Sequence, residues 1–415
     1  MAQFIADFHI HSRYSRACSK DLTVAELAKW ATIKGIGVLG TGDFTHPLWL
    51  EELKNTLRDT GRGLFEHGGV EFLLTSEVNT LFYKGGKAHQ IHHLLFAPSL
   101  EAVERINREL EAFGSLSIDG RPTLRMEAWR LVEVVLGADP RCLIVPAHAW
   151  TPWFAIFGST SGFDAVEECF EHQAKHIYAL ETGLSSDPAM NWRLKALDRY
   201  TLISNSDAHS ARRIGREANV FDCARDYDTI AATLKTKDRT KLRYTLEFVP
   251  EEGKYHYDGH RACRVRWTPA ETKRHNQRCP VCGRKVTVGV MHRVDALADR
   301  PEGETPANAI PFKRIVQLDE IIADAMGVGT GTQTVEREYQ KLIYACGTEF
   351  NVLLVAPEDD LRRATTAKIA DGILRMREGR VSVEPGFDGE YGKIHLFDDA
   401  EHAPVAAGEQ QMTLF

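Results

Sequence analysis

Short apolar runs, each meeting a histidine or an acid, recur along the first half of the chain. Phe4-Ile5-Ala6 leads into Asp7-Phe8-His9-Ile10-His11, Gly37-Val-Leu-Gly-Thr-Gly ends at Asp43, and Val70-Glu-Phe-Leu-Leu-Thr-Ser ends at Glu77. His92-His93-Leu-Leu-Phe-Ala opens a fourth run, Leu143-Ile-Val-Pro-Ala ends at His148, and Tyr178-Ala-Leu ends at Glu181. A seventh, Thr201-Leu-Ile-Ser-Asn-Ser, ends in Asp207-Ala-His209. These lengths and residue types read as strands. Between the first two, Thr23-Val-Ala-Glu26 is a capping box, followed by Leu27, Trp30 and Ala31 at helical spacing and Gly35 at a C′ position. Lys84-Gly-Gly-Lys87 is a turn. Strand, polar residue, loop and helix in repetition predict an α/β fold of parallel strands with crossover helices. Functional residues of such a fold gather at the strands' C-terminal ends.

The second half changes character. Leu242 to Val249 alternates as one more strand, and Arg300 to Pro311, rich in Pro and Glu, reads as a linker. Leu318, Ile321, Ile322 and Met326 form a helical stripe, as do Val335, Tyr339, Leu342 and Ile343 after the glycine run Gly327–Thr332. Asn351-Val-Leu-Leu-Val-Ala-Pro reads as a buried strand or turn, Leu361 to Met376 as a helix, and Arg380-Val-Ser-Val with Lys393-Ile-His-Leu-Phe as a hairpin. The organisation expected is a catalytic domain over 1–250, a small domain over 251–300, a mainly helical domain over 301–402 and a flexible tail over 403–415.

Composition adds exclusions. The chain has 51 Lys and Arg against 58 Asp and Glu, a net charge of −7, which argues against a uniformly basic nucleic-acid coat but allows a local patch. No apolar stretch is long enough to span a bilayer, and the first strand is not preceded by a signal-peptide core. The expectation is a cytoplasmic protein with no membrane partner and with reduced or metal-bound cysteines.

The chemistry lies in the donors. Along a strand, residues i and i+2 share a face, so Asp7, His9 and His11 project together as a divalent-metal set. Candidate ligands at so many successive strand ends exceed what solvated turn residues explain. A separate group, His260-x2-Cys263-x15-Cys279-x2-Cys282, has the spacing of a zinc ribbon holding one structural zinc, with His256 as the competitor of His260. The other cysteines (Cys18, Cys142, Cys169, Cys223, Cys346) show no comparable pairing. From Gly259 to Arg293 there are nine Lys or Arg and the single acid Glu271, a local excess suited to phosphate-backbone contact. The glycine run lacks the Gly-Lys-Ser/Thr of a P-loop, although amides at the following helix start suit a DNA phosphate.

His9-Ile-His11, Thr-Gly-Asp43, Glu77, His93 before Leu-Leu, His148 and Asp207-Ala-His209 together resemble the PHP (polymerase and histidinol phosphatase) family. The resemblance implies a distorted (β/α)7 PHP barrel with two to three divalent metals (Zn, Mn or Mg). One ion would lie on His9, His11, Glu77 and Asp207. A second would lie on Glu77, His93 and His148, with His92 competing with His93. A third would use His209 with Asp43 and His46, where the sequence departs from the family: Phe44 follows Asp43, and the first loop reads Ser15-Arg-Ala-Cys-Ser19 without its usual histidine. Glu77, Asp207 and His148 are the implied catalytic residues, in a site that hydrolyses phosphate esters.

With the ribbon inserted after the barrel, the whole chain resembles the endonuclease Q family, most specifically in Gly40-Thr-Gly-Asp-Phe-Thr-His-Pro47, Pro146-Ala-His-Ala-Trp-Thr-Pro-Trp153 and Lys254-Tyr-His-Tyr-Asp-Gly-His260. That implies a DNA-repair endonuclease cutting 5′ to uracil, hypoxanthine, xanthine and abasic sites. A base drawn from the stack would meet walls of Trp150, Trp153, Phe154 and Phe157. The alternative is a small-molecule phosphatase resembling histidinol phosphatase. The tail ends in Gln411-Met-Thr-Leu-Phe415, similar to the pentapeptide with which bacterial partners bind the sliding clamp, with Gln411 as polar anchor and Met412, Leu414 and Phe415 as the apolar plug.

Overall fold

The computed structural model describes residues 3–397. The chain divides into two compact units: one runs to Ile315 and takes up Glu384–Lys393, the other comprises Val316–Val383 and resumes at Ile394. The segments expected as separate domains over 1–250 and 251–300 thus fall together in the first unit. The tail motif Gln411–Phe415 lies outside the described residues. No helix among the described residues is long and apolar enough to cross a membrane.

In the first unit, all seven strand expectations are met: β1 (Phe4–Asp7), β2 (Ile36–Gly40), β3 (Val70–Lys84), β4 (Lys87–Ala97), β5 (Leu143–Pro146), β6 (Ala179–Glu181) and β7 (Thr201–Ile203). They are joined by β8 (Ala218–Phe221) and β9 (Leu242–Glu247). The central sheet is mixed. β1 pairs in parallel with β2, and β2 with β3. β1 and β8, and β8 and β9, are antiparallel. β6 and β7 form a separate parallel pair. It is tied to the rest at the strand exits, by Ala149 N–H to Glu181 O (2.9 Å) and by the Ile10↔Ala208 bridge.

The expectation of uniformly parallel strands fails at β4, which runs antiparallel to both β3 and β5. The cause is the two-residue Gly85-Gly86 turn, both residues at positive φ (59° and 78°). A connection that short joins only antiparallel neighbours, because a parallel crossover needs a dozen or more residues.

Aromatic packing fixes the sheet beneath the site. Phe4 stacks on Phe221 at 5.4 Å, and Phe8 meets Phe96 and Phe221 edge-on at 5.5 and 6.0 Å. Fully burying each such ring contributes roughly 1.5–3 kcal/mol. The helix Val24–Lys34 starts where Thr23 accepts from Glu26 N–H and stops at left-handed Gly35, whose N–H meets Ala31 and Thr32 carbonyls. Only half of the expected capping box forms there, since the Glu26 carboxylate turns to Trp30 Nε1 (2.9 Å) and Lys29 instead.

The ribbon region pairs Asp258–His260 with Val265–Trp267, antiparallel. Its turn is closed by Cys279 N–H to Arg284 O and Gly283 N–H to Cys279 O, both 2.8 Å.

The second unit is helical: Leu318–Met326, Gln333–Cys346, Glu349–Leu354, Glu358–Ala364 and Ala367–Arg377. Leu318, Ile321 and Ile322 are buried as the stripe requires, while Met326 is 36% exposed. Two expectations are corrected. The Asn351 segment is helix, because Thr348 caps it by accepting from Asn351 N–H. The stretch Leu361–Met376 is two helices, because Thr366 caps a new start by accepting from Ile369 N–H.

Candidate metal centre

Glu77 stands buried on β3, and each of its oxygens faces a different group of donors. Oε2 lies 3.5 Å from His9 Nε2 and 3.4 Å from His11 Nε2. Asp207 Oδ1 closes that side at 3.7 Å from His9 Nε2 and 3.0 Å from His11 Nε2. Oε1 lies 2.6 Å from His92 Nδ1 and 3.0 Å from His148 Nε2. Two donor sets result, His9–His11–Glu77–Asp207 and Glu77–His92–His148, each within a 4.8 Å spread and sharing one carboxylate.

The strand exits are shaped to aim these groups. Asp43, His148 and Asp207 all sit at positive φ (47°, 32° and 46°), a left-handed conformation costly for residues with a side chain and typical of functional sites.

The imidazoles are held from behind. Both Glu181 oxygens lie 3.0 Å from His9 Nδ1, Oε2 accepts from His148 N–H at 2.8 Å, and Oε1 accepts from Asn205 Nδ2 at 2.8 Å. Asp43 Oδ1 takes His11 Nδ1 at 3.0 Å, while its Oδ2 accepts from Ser12 N–H, Ser12 Oγ and Ser15 Oγ. A carboxylate only accepts, so Nδ1 carries a proton on both histidines and Nε2 of each faces the cluster.

The electrostatics agree with a cation-binding role. Against burial, His92, His9 and Arg121 hold the Glu77 carboxyl well below its usual range. Burial pushes His92 down to about 4. Against burial, Asp43 and Asp207 push His11 up to about 9. His9 Nε2 is buried with no hydrogen-bond partner, a costly state for a polar atom that a divalent ion would relieve. The donor set therefore fits the implied metals.

Several expected residues take other roles. His93 is not in either set: its ring lies on the opposite face of β4, with Nε2 2.9 Å from Thr80 Oγ1 and its ring edge-on to Phe170. Asp7 accepts from Ser206 and Gly215 N–H and pins the loops after β7. His46 stacks on Tyr14 at 4.5 Å with Nε2 3.2 Å from Ser117 O, and Asp43 is engaged with His11. With His209 4.7 Å from His11 ring to ring, the residues expected to hold a third ion do not converge as a donor set among the described residues. Trp150 and Phe157 are core, 1% and 0% exposed, packed on each other at 4.9 Å. Trp153 and Phe154, 41% and 39% exposed, line the cleft.

That cleft, about 580 Å³, opens over His92, His148, Asp207 and His209 and is also lined by Arg16, Arg121, Asn79 and Gln90. Arg121 Nη1 reaches Glu77 Oε2 at 3.2 Å. Sequence reasoning missed Arg121, which lies in a loop with no local signal. It also passed over Glu181, whose position at a strand end was the available clue.

Away from the cleft, His260, Cys263, Cys279 and Cys282 converge within 4.8 Å, with His260 Nδ1 3.4 Å from Cys282 Sγ. His256 is buried elsewhere, so His260 is the fourth donor. Of the nearby cations, Arg261, Arg264, Arg284 and Lys285 are exposed.

Two donor sets sharing one carboxylate at an α/β sheet make this a metal-dependent hydrolase site of the kind that acts on phosphate esters. Two solved structures match nearly the whole chain. The lesion-specific endonuclease PfuEndoQ of Pyrococcus furiosus is 31% identical with a TM-score of 0.87, over 97% of this chain and 98% of that one. An endonuclease Q in complex with a 27-mer duplex carrying an abasic lesion is 30% identical with a TM-score of 0.85, over 98% of this chain and all of the other. The chain belongs to the endonuclease Q family. The Bacillus subtilis protein YqxK is 29% identical over 95% of this chain and its own full length. The Methanocaldococcus jannaschii protein MJ0043 is 32% identical over 254 residues, and the match covers 31% of that longer protein. The family model of the MJ0043 C-terminal domain matches residues 317–380, close to the bounds of the second unit.

Proposed function

We propose that this protein is a DNA-repair endonuclease that hydrolyses the phosphodiester 5′ to deaminated bases (uracil, hypoxanthine, xanthine) and abasic sites, on a distorted PHP-type barrel. The observation that carries the reading is Glu77, one buried carboxylate shared by two donor sets whose His92, His148 and Asp207 line an open cleft. His9, His11, Glu77 and Asp207 would hold one divalent ion, and Glu77, His92 and His148 a second. Ions bound there supply Lewis acidity and an activated water to a phosphoryl centre. The chain's own groups do the rest. Glu181 and Asp43 fix the tautomer and aim of the ligand imidazoles. Arg121, at the cleft wall against Glu77, and Arg16 are placed to hold the phosphate flanking the scissile bond. Trp153 and Phe154 offer aromatic faces to a base drawn out of the stack.

The four-donor cluster His260–Cys263–Cys279–Cys282 would hold a structural zinc, and the exposed cations around it suit a DNA backbone. The terminal Gln411–Phe415 pentapeptide carries the sliding-clamp reading on its sequence alone.

The rival, a small-molecule phosphatase, calls for an enclosed pocket. The cleft is open and aromatic at its rim, which favours a polymer. The test is end-labelled duplexes carrying one deoxyuridine, deoxyinosine, deoxyxanthosine or abasic site, beside a lesion-free duplex and a simple phosphate monoester. Lesion-dependent nicking is the expected result. Monoester hydrolysis without nicking would establish the phosphatase.

A further inference from the structure

Aromatic side chains continue outward from the cleft beyond any role in the chemistry. Phe154 lies face to face with His92, 5.0 Å between ring centres and 18° between planes. Its neighbour Trp153 meets Tyr255 edge-on at 5.0 Å. Lys254 Nζ then stands 5.8 Å from the Tyr255 ring and 5.6 Å from the Tyr391 ring. Tyr391 is 73% exposed. Trp153, Phe154 and Tyr391 leave much of their surface to water and Tyr255 is half-buried, so core stability does not account for the run, and exposed apolar surface of this kind marks an interaction site.

The segment carrying Tyr391 is seated backbone on backbone. Gly386 N–H donates to Glu251 O, Gly389 N–H to Lys254 O and Gly392 N–H to Glu252 O, at 2.8, 2.9 and 2.9 Å. A Cβ at Gly386 would fall 2.5 Å from Gly253 O, and one at Gly392 2.4 Å from Glu251 O. This contact admits only glycine and holds Tyr391 in place before any ligand arrives.

From this arrangement we infer that Trp153, Tyr255 and Tyr391, with Lys254 between the last two, form a stacking platform for the unpaired nucleotides that adjoin the one held in the cleft. The inference rests on the endonuclease reading. A base taken out of a duplex leaves its neighbours without a stacking partner, and aromatic faces alternating with a cation match the base–phosphate alternation of a single strand. A paired duplex hides its base faces and a peptide has no such repeat, so single-stranded DNA is the occupant that fits.

The test uses the full chain with Asp207→Asn to hold substrate uncut, and a duplex with an abasic site flanked on one side, then the other, by 2-aminopurine. Binding is expected to quench the probe on one side. Tyr391→Ala and Tyr255→Ala should restore most of the emission and weaken binding about tenfold. Tyr391→Phe, which keeps the ring, should quench as the tyrosine does. Quenching by the alanine variants equal to that of the tyrosine protein overturns the platform. Failure of the unmutated chain to bind or nick the lesion duplex overturns the functional reading first, and the platform with it.

Discussion

Lys84 pairs with Lys87 across the Gly85-Gly86 turn, and stepping back along the hairpin places His92 opposite Asn79 and His93 opposite Val78. Opposed residues share a face, and residues two apart share it as well, so His92 joins Glu77 while His93 points away with Thr80. This was legible in the sequence, because the turn length fixes the register. The family likeness had pointed to the wrong neighbour. His92→Ala is expected to lower metal content and to slow nicking at least about tenfold. His93→Ala should keep its metals while losing about 1–3 kcal/mol of stability, since it empties buried space against Phe170 and removes one of the two partners of Thr80 Oγ1. Metal analysis and thermal melts on both variants check this, and metal loss on His93→Ala would restore the first assignment. Glu181 touches no substrate, yet it holds the His9 side chain and the His148 backbone together. Glu181→Gln should therefore weaken metal binding about 10–100-fold, read by chelator competition, with the fold retained. Glu247 makes a prediction about pH. Burial, with Asp187 nearby, pushes its carboxyl up to about 8 from 4.5, against hydrogen bonds from Thr245 and Thr182. Between those values the unfolded chain releases a proton that the folded chain keeps, so this group makes stability fall as pH rises through the window and adds no further change above it. Glu247→Gln cannot ionise, so its Tm relative to the unmutated chain should climb from pH 4.5 to 8. A constant difference would show that the carboxyl is not held neutral.

At the scale of elements, apolar runs located the strands well, because a strand needs only its own few residues to be recognised. Their directions were not legible from the runs, since pairing is a relation between segments. Helix boundaries in the second unit turned on single threonines: Thr348 converts a segment read as strand or turn into a helix, and Thr366 splits one expected helix into two. The ribbon is where spacing sufficed, because four donors in Cys-x-x-Cys-like steps leave little freedom, and the fold settled only His260 against His256. Its small apolar core is Val265, Cys279 and Val286 with Cys263 and Trp267 packed against them. A module of that size would draw much of its folding free energy from a bound ion. If the cluster holds zinc as proposed, Cys279→Ser is expected to release one equivalent of it and to make the segment around it sensitive to proteolysis, while metal bound at Glu77 is retained. Zinc content unchanged from that of the unmutated chain would contradict a zinc site there.

For the molecule as a whole, an acidic chain of net charge −7 carries a basic ribbon, and the likeness to endonuclease Q structures spans nearly all of it. The candidate site was legible in outline, since His9, His11, Glu77, His148 and Asp207 meet, although Glu77 lies in the middle of β3 rather than at the strand end expected for it. Arg121 and the outer aromatics Tyr255 and Tyr391 were not, because they lie in loops distant in sequence from the ligand stretches and leave no periodic trace. The central claim is that Glu77 and Asp207 belong to one metal centre that hydrolyses DNA at a lesion. Its most direct measurement is the nicking of an end-labelled deoxyuridine duplex by the unmutated chain and by Asp207→Asn, with metal content and Tm taken on the same samples. The unmutated chain should cut once, at the phosphodiester 5′ to the deoxyuridine. Asp207→Asn should stay folded, with Tm lowered only by the lost metal binding, and cut about 100-fold more slowly or worse, since a catalytic metal supplies several kcal/mol of transition-state stabilisation. Equal cutting by the variant, or cutting that ignores the deoxyuridine, would contradict the account.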